Sequence, residues 1–487
     1  MTLTEEQYKT LCATCDSVLV ADGATFERIA IPWLHVMREH PVFLRQYEDL
    51  FIPKPPLRRL FDYSRRVVVN VALWFRLAWR VVRSSGKLWH GDLPKCASVD
   101  VVFVSHLLAL PQLEAEDDFY FGKVPADLAR QGKSVLLVLI NHTAAIGDEL
   151  ERSLEKSPIP RVVISSGLSP KEEFRIWRRA AKEASRLRHA AGIEKAGLRK
   201  MILRRAAVEA TANNTKTSLR ISRVVGEVVS RCQAKSVVTT YEGHAWERLV
   251  CAVARDARPD VACVGYQHAA LFRLQHAAKR SLGKKYDPAL ILAAGPVGLN
   301  QLRRSSSLPG IPLGILGSNR SIKDVSRTAS ATCLVLPEGI VEECRILFTF
   351  SLSCARACPM VRFIWRLHPI MSFDKLVRRI PVLGNLPSNI EISAQTFEED
   401  IARSSWALYR GSTAVVTAAA NGVTPIYLEQ PGELSIDPLF EISGHHPAVG
   451  NVEQFIRAVE LADDGSTVIE YCRKFYSPLD SAALALR

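Results

Sequence analysis

The 487-residue sequence predicts an α/β protein with two parallel-sheet domains facing a cleft, preceded by an N-terminal helical region. Three observations carry that expectation. Short apolar runs rich in β-formers recur from residue 98 onward and alternate with helical stretches, as parallel strands joined by crossover helices do. The series is interrupted at "GSNRSIKDVSRTASA" (317–331), whose Ser, Lys and Arg content is that of an interdomain linker. Residues 1–97, by contrast, lack strand alternation. A composition of 48% hydrophobic and 23% charged residues can bury the core such a chain requires.

At the N-terminus, "MTLTEEQYKTL" has neither a basic n-region nor an apolar h-region, so no signal peptide and a cytoplasmic location are expected. Cys12 and Cys15 form the only Cys-x-x-Cys spacing among 11 cysteines, and no second such pair follows; buried or merely reduced thiols are expected. The segment "RRVVVNVALWFRLAWRVVR" (65–83) is interrupted by Arg76 and Arg80, too charged for a membrane span. As a helix it sets Val68, Ala72, Phe75, Trp79 and Val82 on one face and Arg76, Arg80 and Arg83 on another. That pattern fits a core-packed helix or one lying peripherally on an anionic membrane.

The first α/β domain, residues 98–316, contains the strand runs "SVDVVFVS", "SVLLVLI", "RVVISS", "SVVTT", "VACVGY" and "ALILAAG". Between its third and fourth strands lies a basic helical insertion, 171–229, read either as a solvated face or as a flap or acceptor-side surface facing an anionic glycolipid. The second domain, 331–487, contains "TCLVLPEGI", "VRFIWRLHP", "NIEIS", "SWALYRGSTAV" and "TPIYLEQ".

Open α/β sheets place ligands just past the carboxyl ends of their strands. There "SVVTT" runs into "YEGHAWERL", offering Glu242, Gly243 and His244, with Glu242 the candidate proton acceptor. "GYQHAAL" offers Gln267 and His268 to the same cleft, unless either bonds a loop instead. In "RLHP", Pro369 holds His368 extended, so that its imidazole can donate to a phosphate or, alternatively, satisfy a turn carbonyl. In "YRGSTAV", Gly411, Ser412 and Thr413 sit between strand and helix, where amides and hydroxyls attract anions or simply cap the helix.

In order, "TTYEGHAWERL", "VGYQHA", "LPEGI…EEC", "RLHP" and "YRGSTAV" make residues 98–450 resemble bacterial surface-carbohydrate glycosyltransferases of the GT-B type that use CMP-activated ulosonic acids, the Kdo and sialic acid transferases. The resemblance implies a GT-B-like pair of Rossmann-type domains. It makes Glu242 the general base, His368 the residue that binds the CMP phosphate and assists its departure, and Ser412 and Thr413 anion contacts. It puts Glu338, Gly339, Arg366, Arg410 and Gly411 on the nucleotide-sugar side, and Gly243, His244, Gln267 and His268 on the acceptor or sugar side. The chain departs from the acidic-acidic-Gly form, because Tyr241 precedes Glu242. One carboxylate leaves inversion or retention open.

The implied partners are a CMP-sugar donor and a surface-glycan or lipid-linked acceptor at the cytoplasmic membrane face, with no cofactor. No Asp-x-Asp motif stands at a strand end, so metal independence is expected. The same residues admit a CDP-glycerol or CDP-ribitol phosphotransferase, a sugar epimerase on the same scaffold, or a non-catalytic scaffold in envelope assembly. Lys and Arg outnumber Asp and Glu by 63 to 50, a net +13 that favours polyanionic partners. Nucleic acid is not expected, since no recognition motif or aromatic-basic platform is present.

Overall fold

The computed structural model describes residues 3–52 and 86–484 apart from 144, 306–307, 309, 321, 329 and 461–464, and between 53 and 85 only Ser64, Val68, Val69, Ala72 and Phe75. The basic segment 65–83, with Arg76, Arg80 and Arg83, therefore lies almost wholly outside the described residues.

The first sheet contains β1 (Trp89–His90), β2 (Val101–Leu107), β3 (Val135–Asn141), β4 (Arg161–Ile164), β5 (Ser236–Thr240), β6 (Ala262–Gln267), β7 (Leu290–Ala293) and β8 (Leu313–Ile315). Its order is β1-β4-β3-β2-β5-β6-β7-β8, parallel except for the edge strand β1. The second sheet contains β9 (Thr332–Leu336), β10 (Arg362–Trp365), β11 (Ile390–Ile392), β12 (Trp406–Tyr409), β13 (Thr424–Leu428) and β14 (Ala448–Val449). Its order, β11-β10-β9-β12-β13-β14, is wholly parallel. Counting parallel strands along the chain, the second sheet has the doubly wound 3-2-1-4-5-6 order and the first the same order with a seventh strand added, 3-2-1-4-5-6-7; in each the strand sequence reverses once. The fold is α/β and GT-B-like, with two Rossmann-type domains.

Helices cover both faces of each sheet, which is why the strands are near-continuous apolar runs. Alternate residues of β2 show it: Val102 and Val104 pack into one core, Val101 and Phe103 into the other. In the second sheet, Cys333 and Val335 face one core and Leu334 and Leu336 the other.

Among the described residues, the 1–97 stretch is not a separate helical region. They supply β1, and the helix Glu5–Leu19 shares a core with the first sheet through Leu11, Cys12, Cys15 and Val18. Burial pushes the Cys12 thiol up to about 12, that of an inert buried thiol. The insertion forms the helices Pro170–Ile193, Leu198–Glu209 and Asn213–Cys232. Ion pairs tie it to its surroundings: buried Glu183 pairs with Arg28 at 2.8 Å, and Glu173 takes two nitrogens of the Arg220 guanidinium at 2.7 and 2.8 Å.

The chain passes between domains twice. It leaves the first sheet after β8, and its C-terminal stretch returns, with the amide of Ser477 donating to the Ala294 carbonyl and that of Asp480 to Leu316, each at 2.9 Å. Leu479 and Leu484 then pack into the core of the first sheet. The 478–484 tail thus belongs with the first domain, contrary to a second domain running to 487.

Candidate active site

At the reversal of strand order two adjacent loops diverge to opposite sides and leave a crevice. In the first domain the crevice lies between the ends of β2 and β5, and in the second between those of β9 and β12. The β5, β9 and β12 ends carry Glu242, Glu338 and Gly411 to Thr413, respectively.

The turn after β5 is built around one carboxylate. Gly243 has φ +86°, and a Cβ there would overlap the Ala277 carbonyl, so the chain needs glycine to turn. Glu247, the third residue of the helix Ala245–Ala257, takes the amides of Glu242, Gly243 and His244 on a single oxygen at 2.9, 2.8 and 2.8 Å. Its burial pushes the carboxyl up to about 7, against the pull of His244. With the backbone clamped, Glu242 projects into a nest of histidines.

Glu242 Oε2 lies 3.5 Å from His244 Nε2, and its Oε1 lies 3.7 Å from His268 Nε2. Burial opposes ionisation, but the His244 hydrogen bond and the charges of His268 and Arg38 hold the carboxyl well below the usual range. The pKa of His268 is lowered as well, which for an imidazole favours the neutral form: burial drives it down to about 4 although Glu242 favours its cation. Beyond it, Tyr120 meets His268 edge-on at 4.7 Å, and His106, at the end of β2, faces Tyr120 and Trp246. His106 is hydrogen-bonded to His142 at 2.8 Å and is pushed down to about 3 by burial.

On the second domain, Ser412, Thr413, His368 and Pro369 line a cavity of about 420 Å³ together with Arg320 and Lys323 of the linker. Gly339 lets His368 come close, since a Cβ there would stand 2.9 Å from His368 Nδ1. His368 Nδ1 accepts the Ile370 amide at 3.4 Å, which leaves Nε2 to carry the proton of the neutral ring. Burial lowers its pKa, Glu338 opposing and Arg320 assisting.

Two cations connect the sides. Arg320 acts on both His268 and His368. Arg38, from the N-terminal segment, acts on both Glu242 and Glu338, standing 3.7 Å from the Glu338 carboxylate and between the rings of Phe43 and Phe272 at 5.1 and 5.2 Å. The fully buried His40 adds a contact to Glu338 at 3.4 Å.

No family model matches the chain, and no curated protein matches it. Solved structures do. The glycotransferase of kitacinnamycin is 10% identical, with 78% of this chain and 94% of that one covered at a TM-score of 0.46. The glycosyltransferase SnogD from Streptomyces nogalater is 14% identical over 80% and 99%, at 0.44. UDP-GlcNAc 2-epimerase from Neisseria meningitidis, bound to UDP-GlcNAc, is 13% identical over 80% and 98%, at 0.42. No functional weight rests on likenesses at these scores.

Of the residues singled out in the sequence, Glu242, Gly243, His244 and His268 meet in the first crevice, and His368, Ser412 and Thr413 in the second. Three others are engaged elsewhere. Gln267 is 1% exposed and donates to the Ala269 carbonyl, tying a loop rather than facing the cleft. Arg366 Nη1 bonds Asp400 at 2.7 Å and the Gln395 carbonyl at 2.9 Å, bracing the turn before the helix Phe397–Ala402. Arg410 is 2% exposed, held by Glu343 at 2.9 Å and Glu433 at 2.7 Å. Glu338 partners Arg38 and His40, and a Cβ on Gly411 would overlap its carboxylate. Glycine at 411 therefore makes room for Glu338.

Sequence reasoning missed Arg38, His40, His106, Tyr120, Glu247 and Arg320. His106 had a signal, a polar residue ending an apolar strand at the switch point, and Glu247 had the capping-box spacing from His244. Among the described residues, no group of three or more His, Cys, Asp or Glu side chains is arranged to hold a metal ion.

Proposed function

We propose that the protein is a GT-B-type glycosyltransferase that moves a CMP-activated ulosonic acid, Kdo or a nonulosonic acid, onto a surface-glycan or lipid-linked acceptor at the cytoplasmic membrane face. The observation that supports this reading most directly is the pairing of two switch-point crevices. One holds an ionised acid among histidines, and the other holds hydroxyls, an imidazole N–H and cations.

In this reading the acceptor hydroxyl enters beside Glu242. Its oxygen forms the new bond to the anomeric carbon, its proton passes to the Glu242 carboxylate, and the bond from that carbon to the phosphate oxygen breaks. CMP departs with the bonding electrons. Its growing charge is met by His368 Nε2–H, the Ser412 and Thr413 hydroxyls and Arg320, donors that require no reorganisation as the charge develops. A carboxylate base so placed contributes about 10²- to 10⁴-fold to the rate. Its depressed pKa keeps it ionised at neutral pH, at some cost in basicity.

The test is a thermal-shift comparison of cytidine and uridine nucleotides, where a ligand at 100-fold its dissociation constant adds about 2.7 kcal/mol. Stabilisation by CMP but not UDP supports the donor class; stabilisation by UDP alone overturns it. Incubation with a panel of CMP-sugars and membrane extract, followed by mass spectrometry of the glycolipids, then names sugar and acceptor.

A further inference from the structure

The helix Pro170–Ile193 carries an unusual outer face. Its inner face, through Ile176, Ala180, Ala184, Leu187 and Ala191, packs into the core of the first domain. Its three acids Glu172, Glu173 and Glu183 are turned toward the protein and neutralised: Glu172 by Arg175 and Arg223, Glu173 by Arg220, Glu183 by Arg28. Helical spacing then puts Lys171, Phe174, Arg175, Arg178 and Lys182 on the side opposite the core, all of them exposed. Lys171, Arg178 and Lys182 have no acidic partner among the described residues.

Beside these cations, Phe174 and Trp177 are 59% and 51% exposed, their rings stacked at 5.7 Å. A folded protein gains nothing from holding two aromatic rings in water, and stacked together they offer one apolar wedge flanked by long basic side chains. An anionic bilayer fits that chemistry: the rings enter the headgroup boundary while the cations meet the phosphates. Nucleic acid fits it less well, because the sequence carries no nucleic-acid recognition motif.

The location also fits. The helix starts from the carboxyl edge of the sheet after β4, the edge that bears the Glu242 turn, and β4 lies three strands, about 14 Å, from β5. Its first two turns, which carry Phe174 and Trp177, are therefore on the acceptor side of the molecule. The ion pairs of Glu173 and Glu183 hold the helix rigidly to the domain, so a bilayer seated on it would fix the orientation of the crevice.

We infer that the outer face of this helix, with Phe174 and Trp177 along its flank, docks the protein on anionic lipid. The inference does not depend on the donor nucleotide, so it stands or falls separately from the CMP reading.

The experiment is co-sedimentation of the full chain with vesicles of phosphatidylcholine mixed with phosphatidylglycerol, against phosphatidylcholine alone. Phe174→Ser with Trp177→Ser is expected to lower partitioning into the mixed vesicles by about tenfold, because the inserted apolar area is lost. Lys171→Gln, Arg178→Gln and Lys182→Gln are each expected to lower it about fivefold, an effect that disappears in high salt. Both sets change exposed side chains, and an unaltered melting temperature checks that they fold. Three results would overturn the inference: unchanged partitioning of the double variant, loss of binding only with Arg76→Gln, Arg80→Gln and Arg83→Gln, or a wild-type dimer that the double variant dissociates without any vesicle binding. Tight binding of the wild type to single-stranded RNA with none to vesicles would do so as well.

Discussion

Glu247 Oε2 accepts the amide of Gly243 at 2.8 Å, and the same oxygen takes the amides on either side of it. Three consecutive N–H groups converging on one point form the kind of nest that elsewhere captures a phosphate. Here a side chain of the protein fills it, so the turn is finished before any ligand arrives. Glu247→Ala is expected to cost about 3 kcal/mol in urea unfolding, since buried donors would lose their acceptor. Glu247→Gln, which keeps a carbonyl oxygen, is expected to lose less than half of that.

Glu242→Gln keeps the size of the side chain and removes the proton acceptor. Turnover is expected to fall by about 10² or more while CMP affinity barely changes. His368→Ala, by contrast, is expected to weaken CMP binding and slow transfer together, because the contact it removes strengthens as the phosphate gains charge. Calorimetry for CMP and product formation for turnover separate the two. Near wild-type turnover in Glu242→Gln would move the base to His244 or His268.

The melting temperature is expected to fall as the solution is acidified from neutral. Burial holds His268 down to about 4 and His106 down to about 3, both below the value near 6.5 of an unfolded chain. On acidification the unfolded chain therefore binds protons first. The stability held by the neutral rings is complete above about 6.5 and is lost as pH falls toward their folded values. His268→Asn and His106→Asn are expected to flatten the profile between pH 6.5 and 4; an unchanged slope in both would exclude them as its source.

Arg410→Met tests whether that arginine serves structure or substrate. Its removal leaves Glu343 and Glu433 facing each other without their cation, a loss of about 3 kcal/mol in unfolding free energy. The alternative result, full stability with weakened CMP binding, would return Arg410 to the donor site.

Strands β2 to β7 and β9 to β13 and their order of appearance were legible in the sequence because a parallel sheet covered on both faces leaves unbroken apolar runs such as "VLLVLI"; the two- and three-residue edge strands β1, β8 and β14 were too short to leave one. Glu242, His368 and Ser412 were legible for a related reason: each interrupts such a run where the strand ends. Arg366 and Arg410 have the same signal, yet their guanidinium groups turn back to Asp400 and to Glu343. Which way a long side chain points from a strand end depends on acids located tens of residues away, and no local pattern encodes that. Arg38 and His40 were hidden more deeply. Their segment reaches the cleft only because residues 3–52 fold over the first domain, a placement set by tertiary packing with no periodicity to announce it.

The return of the 478–484 tail to the first sheet changes what the linker can do. With one covalent crossing, the domains would swing on a flexible tether in any direction. With two crossings, the amide of Ser318 donating to the Ser477 carbonyl at 2.8 Å lays the outgoing and returning chains side by side. Paired in this way they act as a hinge with a preferred axis, so opening and closing of the cleft is confined to something near a single rotation. A protease that nicked the exposed stretch around Asn319 and Lys323 would cut only one leaf of that hinge, and the two fragments would still migrate as one particle.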